Sequence, residues 1–179
     1  LSGILQDGMP FHRRSWHFYT YKDWRKKFAT IRRNGSIFTL ILSIEMNITD
    51  FIPQRAPFIM VDEILFSDGV EFKTSFEIQA DNIFVNADKT LSESAVIENI
   101  AQTCAAGMGY HIIQNNLPHN GLGFIGSISK LTVESEAKVG EIIHTTVKIL
   151  HVLDSIRMIE GVAMVGDRQL LKCQLKIVA

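Results

Sequence analysis

The sequence predicts an α+β fold in which a curved antiparallel sheet wraps around one long central helix. Two observations predict it: a single long helical stretch rich in small and apolar residues, and four strand-like runs that follow it with short turns between them. Successive strands joined by short turns pair antiparallel, and their apolar face needs another element to cover it. One such layer leaves a sheet edge open, so we expect at least a dimer that continues the sheet across a two-fold axis.

Composition indicates one globular domain with a sizeable core. The chain has 179 residues, of which 46% are hydrophobic, and a formal net charge of -1; these values exclude disordered and collagen-like classes. No stretch reaches the run of about eighteen apolar residues that a membrane helix needs. The near-zero net charge gives no general attraction to nucleic acid. We therefore expect neither a membrane nor a nucleic acid as partner.

The two cysteines give no sign of a metal site. Cys104 falls within the predicted helix and Cys173 within a predicted strand, at neither a metal-ligand spacing nor a disulfide spacing. Both are interpreted as small buried residues of a protein in a reducing compartment, the cytoplasm. We expect no bound metal and no cofactor.

The first 45 residues differ in charge from the rest of the chain. They carry eight Lys or Arg against three Asp or Glu, whereas residues 46–179 carry ten against sixteen. We interpret residues 1–45 as an N-terminal extension, upstream of a native start at Met46, with little stable structure beyond a helix over residues 21–33. The alternative is a signal peptide, since a basic run precedes apolar residues 37–44, but no small-residue cleavage site follows them.

Two strands are predicted ahead of the helix. Residues 58–65 form a β-prone apolar run, and Pro53 and Pro57 hold the chain extended before it. Residues 70–79 alternate apolar and polar residues with the period of two that a half-buried strand shows. Asp68-Gly69 is a plausible turn between them, so the pair should form a hairpin.

The central helix is predicted to begin at a capping box and to be enclosed on most sides. Thr90-Leu91-Ser92-Glu93 has the residue types of that motif, and the helix should end near residues 115–121. Its apolar positions cover much of the circumference, as expected for an enclosed helix; they are Ala95, Val96, Ile100, Ala101, Cys104, Ala105, Met108 and Ile112.

Four strands are predicted after the helix. The strand-like runs span residues 123–134, 141–153, 155–165 and 169–179. Gly166-Asp167, between the last two, is typical of a two-residue hairpin turn.

Several stretches resemble a known family in order and spacing: "FIPQRAPFIMVDEIL", "ENIAQTCAAG", "GFIGSISKLTV" and "AKVGEIIHTTVKIL". They are similar to the hotdog-fold 3-hydroxyacyl-[acyl-carrier-protein] dehydratases, over nearly all of residues 48–178. The similarity is closer still to the divergent dehydratase-like proteins of aryl polyene and flexirubin-type pigment pathways. It implies a hotdog domain over residues 46–179 and a 3-hydroxyacyl substrate, tethered as a thioester to acyl carrier protein through phosphopantetheine.

The resemblance implies a catalytic role for Glu98. Loss of water from a 3-hydroxyacyl thioester needs a base for the proton beside the carbonyl, an acid for the leaving hydroxyl, and donors that polarise the thioester oxygen. In the enzymes that this chain resembles, a loop histidine is paired with a helix Glu or Asp of the partner subunit, and Glu98 matches that helix acid. Gln102, one turn on, should hydrogen-bond to it. The structural alternative is that Glu98 caps a backbone group or pairs with Arg55.

The loop histidine of the family is missing. No histidine lies between His17 and His111, so none can stand ahead of the helix. Asn86 is nearest to the vacant position, and we expect it to bind substrate, but an amide cannot accept a proton at useful pH. Asp88 would substitute only if its loop brought it inward.

Further substrate-binding residues are predicted around the helix. Phe84 and Gln102 are expected to contact substrate, and Gly126 would permit close approach of the backbone to an acyl thioester. Phe84, Met108 and Ile112 are candidates for an acyl tunnel, with ordinary core packing as the alternative.

Three functions remain open. The first is dehydration of a 3-hydroxyacyl thioester on acyl carrier protein. The second is a catalytically reduced, carrier-binding subunit that forms a homodimer or, more specifically, a heterodimer with a histidine-bearing homologue, so that each site borrows from its neighbour. The third is a hotdog acyl thioesterase in which Glu98 is the base that activates water.

Overall fold

The computed structural model describes residues 26–33, 36–43, 47–118 and 123–178. The chain divides into two compact units, Leu1–Ile44 and Glu45–Ala179, and each is described by itself.

The described part of the first unit is a hairpin. Strand β1 (Lys26–Arg33) pairs antiparallel with strand β2 (Ser36–Ser43). The helix predicted over residues 21–33 is therefore wrong for β1, and residues 21–25 lie outside the described residues. β1 carries Phe, Thr and Ile, which favour strands, in register with a β2 rich in the same residue types.

The second unit contains the long helix and the main sheet. Its elements are, in chain order, a 3₁₀ helix (Ile48–Asp50), β3 (Glu63–Ser67), β4 (Glu71–Glu77), β5 (Thr90–Leu91), α1 (Glu93–Gln114), β6 (Phe124–Val133), β7 (Ala137–Lys138), β8 (Ile142–Leu153), β9 (Ile156–Val165) and β10 (Arg168–Val178).

Six of these strands form one antiparallel sheet that curves around α1. The strand order is β3-β4-β8-β9-β10-β6, and β5 pairs separately with β7. The helix packs against β3, β4, β8, β9 and β10 of this sheet. The predicted α+β class, with an antiparallel sheet wrapped around one central helix, is confirmed.

The first strand of the sheet is shorter than predicted, because the helix binds the backbone ahead of it. β3 begins at Glu63, not at residue 58. The Met60 N–H donates to Gln102 Oε1 (2.8 Å), the Phe58 carbonyl accepts from Gln102 Nε2 (2.8 Å), and the Met60 carbonyl accepts from Asn99 Nδ2 (2.6 Å). Side chains of α1 thus take the backbone groups that a longer strand would pair with a neighbour.

The N-cap of the helix lies two residues after Thr90, the N-cap of the predicted capping box. Ser92 is the N-cap, and its hydroxyl accepts from the Ala95 N–H at 3.4 Å. Thr90 lies in β5 instead, and its hydroxyl donates to Asp88 Oδ1 at 2.6 Å. An Asx-type bond to the nearby Asp88 competes with capping for the Thr90 side chain.

Glycine allows the sheet to approach the helix closely. Gly161 of β9 lies over Ile100 of α1, and a Cβ atom added at residue 161 would stand 2.2 Å from Ile100 Cγ2. Ile100 is fully buried. The contact leaves no room for even one methyl group.

We expect Gly161→Ala to lower the free energy of unfolding by about 1–3 kcal/mol, since overpacking a filled core forces side chains off their rotamers or shifts the backbone. Urea denaturation of the two proteins measures the change. Ile100→Ala combined with Gly161→Ala should cost less than the sum of the two single substitutions, because the clash is then absent. Unchanged stability of Gly161→Ala would show that this contact is loose.

Candidate functional site

A cavity of about 630 Å³ runs along one face of α1. The helix residues that line it recur at spacings of three and four, so they form a single face. They are Glu98, Ala101, Cys104, Ala105, Met108, Gly109 and Ile112. Glu98 is the one carboxylate on this otherwise apolar helix face.

The opposite walls come from the segment ahead of β3 and from the sheet. Residues 49–55 form one wall. Arg157 of β9, Ile177 of β10 and Ile125 of β6 form another, and they lie side by side because Arg157 is registered with Ile177 and Ile177 with Ile125. The cavity therefore reaches the edge strand of the sheet.

Glu98 is half-buried, and Gln102 holds its carboxylate. Gln102 Nε2 donates to Glu98 Oε1 at 2.9 Å, so the hydrogen bond predicted from their spacing is present. Gln102 is completely buried, and its hydrogen bonds to Phe58 and Met60 fix both ends of its amide. An amide locked in this way fixes the position of the carboxylate in turn.

A buried polar network around Asn99 joins the 58–60 segment to the helix and the sheet. Asn99 is fully buried. Its Nδ2 donates to the Met60 carbonyl at 2.6 Å, and its Oδ1 accepts from Thr145 Oγ1 of β8 at 2.5 Å. Its own carbonyl accepts from Thr103 Oγ1 at 2.8 Å. Helix, sheet and the 58–60 segment are thereby joined through satisfied polar groups.

Arg55 lines the cavity but directs its guanidinium to the backbone. Its Nη1 donates to the carbonyls of Ile52 and Gln54, each at 2.8 Å. Within the described part of the chain, the hydrogen-bond partner of the Glu98 carboxylate is Gln102 and not Arg55.

Gln54 presents an unpaired acceptor at the same cavity. Its Oε1 is buried and has no hydrogen-bond partner among the described residues. A buried polar atom without a partner costs free energy, on the order of 1–3 kcal/mol. A donor from a bound molecule or from a neighbouring chain would remove that cost.

None of the four residues predicted to bind substrate is among those that line the cavity, and Gln102 is one of the four although it bonds Glu98. Phe84 is half-buried and packs edge-on against Phe58, with ring centroids 6.3 Å apart. Asn86 is exposed, and its Nδ2 donates to Thr90 Oγ1 at 3.0 Å. Gly126 is exposed on the edge strand β6. The cavity instead contacts Gly123 of the same segment.

Of the other candidates, Met108 and Ile112 line the cavity and Asp88 does not. Met108 and Ile112, proposed from the sequence for an acyl tunnel, line the cavity. Asp88 is exposed and does not point inward, because its carboxylate accepts from the Thr90 hydroxyl and N–H. These hydrogen bonds lower the Asp88 pKa, and Asp88 is not among the residues that line the cavity.

The two cysteines are poor nucleophiles. Burial raises the pKa of the Cys104 thiol to about 12 and that of Cys173 to about 11. The thiolate is the reactive form, so neither side chain reacts at neutral pH even though Cys104 lines the cavity.

We expect iodoacetamide at pH 8 to modify neither cysteine of the folded protein and both in urea, as mass spectrometry would measure. Because folding raises both pKa values above the ordinary value of 9.0, the folded state is favoured by these groups below that pH, and the advantage is lost as pH rises toward the folded pKa. Rapid modification of Cys104 in the native protein would show that the cavity activates it.

Arg157 and residues 49–52 are the parts of the site that sequence reasoning missed. One signal was available for Arg157: it has the same strand parity as Ile159, Gly161 and Ala163, which face the helix, so a charge falls on the inner face. Nothing in the sequence brings residues 49–52 to α1; the Phe51 carbonyl does so by packing on Gly109.

The described residues form neither a metal-binding cluster nor a membrane-spanning helix. These residues contain no group of three or more His, Cys, Asp or Glu side chains placed to hold a metal ion. Among the helices they form, none is both long enough and apolar enough to cross a bilayer.

Solved structures resemble this chain in fold. The dehydratase heterocomplex ApeI:P from Xenorhabdus doucetiae matches with a TM-score of 0.69 and 16% identity, over 74% of this chain and 90% of the matched chain. A hypothetical thioesterase with coenzyme A from Streptococcus pneumoniae matches with a TM-score of 0.51 and 11% identity, over 65% and 83%. The PaaI protein of the phenylacetic acid degradation operon of E. coli matches with a TM-score of 0.52 and 8% identity, over 65% and 82%. These similarities show the hotdog fold.

The sequence itself matches a family. No curated protein sequence matches the chain. The family model described as ApeP dehydratase, of the ApeP-like family, matches residues 46–179, which include every residue of the cavity. The dehydratase resemblance predicted from the sequence is thereby confirmed, and the chain belongs to the ApeP-like dehydratase family.

Proposed function

We propose that this chain contributes Glu98 to the dehydration of a 3-hydroxyacyl thioester carried on acyl carrier protein, and that a histidine-bearing homologous subunit supplies the base. The observation that carries the proposal is the Glu98 carboxylate, held by Gln102 on the wall of an apolar cavity. An acyl chain would bury its methylenes against that wall.

The reaction requires two proton transfers. A base removes the proton on carbon 2, the carbon–oxygen bond at carbon 3 breaks, and an acid protonates the departing hydroxyl, which leaves as water. We assign the acid step to Glu98 and the base step to the histidine of the homologue. The absence of any histidine between residues 17 and 111 supports this division of roles, since no loop histidine of this chain can act.

The edge of the sheet supports a partner beside the cavity. All ten residues of β6 are exposed, including Phe124, Ile125, Ile128, Leu131 and Val133. A long apolar edge strand is a template for pairing with another chain. Phe124 and Ile125 also line the cavity, so a chain that paired with β6 would lie beside the cavity that Glu98 lines.

A heterodimer is the partner arrangement we favour. The matched Xenorhabdus doucetiae structure is described as a heterocomplex, and a second copy of this chain would bring no loop histidine. A heterodimer would hold one histidine and Glu98 at a shared site.

The proposal is tested by incubating the purified chain with a 3-hydroxyacyl carrier protein and, separately, with a saturated acyl carrier protein. Each incubation is run with the chain alone, with a co-encoded histidine-bearing homologue alone, and with both. Mass spectrometry of the carrier protein distinguishes loss of water from loss of the acyl group.

Dehydration that requires both chains is the expected result. Dehydration by this chain alone would contradict the need for a partner histidine. Loss of the acyl group from both carrier proteins by this chain alone would replace the proposal with a thioesterase that uses Glu98 as base. Dehydration by the homologue alone at the full rate would leave this chain without a catalytic part.

A further inference from the structure

Arg157 is a charged residue on a wall that is otherwise apolar. It lies on β9 and is half-buried. Within the part of the chain that the structure describes, its guanidinium makes no hydrogen bond and no ion pair. A guanidinium that faces a cavity and has no partner in the protein is free to donate hydrogen bonds to a bound group.

Strand geometry turns Arg157 toward the cavity. Side chains two residues apart share a face of a strand, and Arg157 has the parity of Ile159, which is fully buried, and of Gly161, which packs on Ile100 of α1. Its registered neighbour Ile177 lines the same cavity. The guanidinium therefore belongs to the inner wall and not to the outer surface of the sheet.

Contacts along β9 place Arg157 beyond Ile100 and away from Glu98. Ala163 is registered with Thr145, which bonds Asn99 of α1, and Gly161 packs on Ile100. Arg157 lies four residues further along the strand than Gly161, about 13 Å. A chain whose carbons 2 and 3 react at Glu98 would bring a more distal part of itself to Arg157.

We propose that Arg157 binds an oxygen-bearing group on the acyl chain itself, a carboxylate or a comparable hydrogen-bond acceptor, and so selects substrates that are oxygenated beyond carbon 3. This inference rests on the proposed function of the cavity. It adds a recognition element to an apolar pocket, which by itself distinguishes chains mainly by length. The planar guanidinium suits a carboxylate because it can donate two parallel hydrogen bonds.

The test measures binding and needs no turnover. Calorimetry compares three thioesters with the full chain, in the assembly that dehydrates the carrier-bound substrate: octanoyl pantetheine, octanedioyl pantetheine and octanoyl phosphopantetheine. We expect the octanedioyl thioester to bind about tenfold more tightly than the octanoyl thioester, as a charge-assisted hydrogen bond allows. Arg157→Met should abolish that ratio, and Arg157→Lys should keep part of it.

Lys176→Met is the matched control. Lys176 is exposed on β10, and its registered neighbour Met158 follows Arg157 in sequence. The substitution removes the same charge from the other face of the sheet, so the ratio between the two thioesters should be that of the unmodified chain.

Each other outcome overturns the inference in a recognisable way. Equal binding of octanoyl and octanedioyl pantetheine would show that the cavity does not select an oxygenated acyl chain. A gain from the phosphate alone that depends on Arg157 places the anion on the carrier arm and not on the acyl chain. Weaker assembly of Arg157→Met with unchanged selectivity would show that Arg157 contacts a partner chain and not the acyl chain. Failure of all three thioesters to bind would refute the proposed function of the cavity itself.

Discussion

Glu98→Gln is expected to reduce dehydration by a factor of about 10² to 10⁴, the usual contribution of a positioned acid or base. The amide keeps the size of the side chain and can accept the same hydrogen bond from Gln102, but it cannot donate a proton to the leaving hydroxyl. The measurement is the rate of water loss from the carrier-bound substrate, followed by mass spectrometry in the assembly that turns over.

Glu93→Gln provides the control for Glu98→Gln. Glu93 lies in the first turn of the same helix and is exposed, so removing its charge should change stability by no more than about 1 kcal/mol and leave turnover intact. Circular dichroism of both variants establishes that the fold is retained. Full turnover by Glu98→Gln would remove Glu98 from the mechanism.

Gln102→Leu is expected to cost both stability and turnover. The substitution leaves the Met60 N–H and the Phe58 carbonyl without their partner. The Met60 N–H is buried, and a buried group left unpaired costs about 1–3 kcal/mol. Glu98 loses the donor that fixes its carboxylate. Because Gln102 is buried behind the wall and does not line the cavity, we expect kcat to fall and KM to change little in the folded protein.

Urea denaturation and steady-state kinetics separate these two effects of Gln102→Leu. Gln114→Leu is the matched substitution at an exposed position of the same helix, and it should alter neither quantity appreciably. A fall in kcat that matches only the unfolded fraction would show that Gln102 is structural and does not position Glu98.

Periodicity predicted the helix and most strands because these elements bury one face or are enclosed. Residues 70–79, for example, alternate in sequence and alternate in burial over β4. The start of β3 could not be predicted in the same way. The apolar run from residue 58 reads as strand, but Gln102 and Asn99, more than thirty residues away in sequence, bind its backbone. Such pairing is a tertiary contact that no local pattern contains.

The part of the site that lies on α1 could be predicted from the sequence. Glu98 and Gln102 are one helical turn apart, so their mutual contact follows from local geometry. Asn86 was assigned from its position relative to the family pattern, and Gly126 from the close backbone approach that glycine permits. Both residues are exposed and neither lines the cavity. The walls opposite α1 depend on how residues 49–55 and three strands converge, and this is decided by packing across the whole domain.

The most direct test of the central claim is a crystal structure of the catalytically competent assembly with a non-hydrolysable amide analogue of a 3-hydroxyacyl pantetheine thioester. We predict the acyl chain along the α1 face of the cavity, with its 3-hydroxyl within hydrogen-bond distance of the Glu98 carboxylate. An analogue bound elsewhere on the assembly, with Glu98 directed to bulk water, would contradict the account.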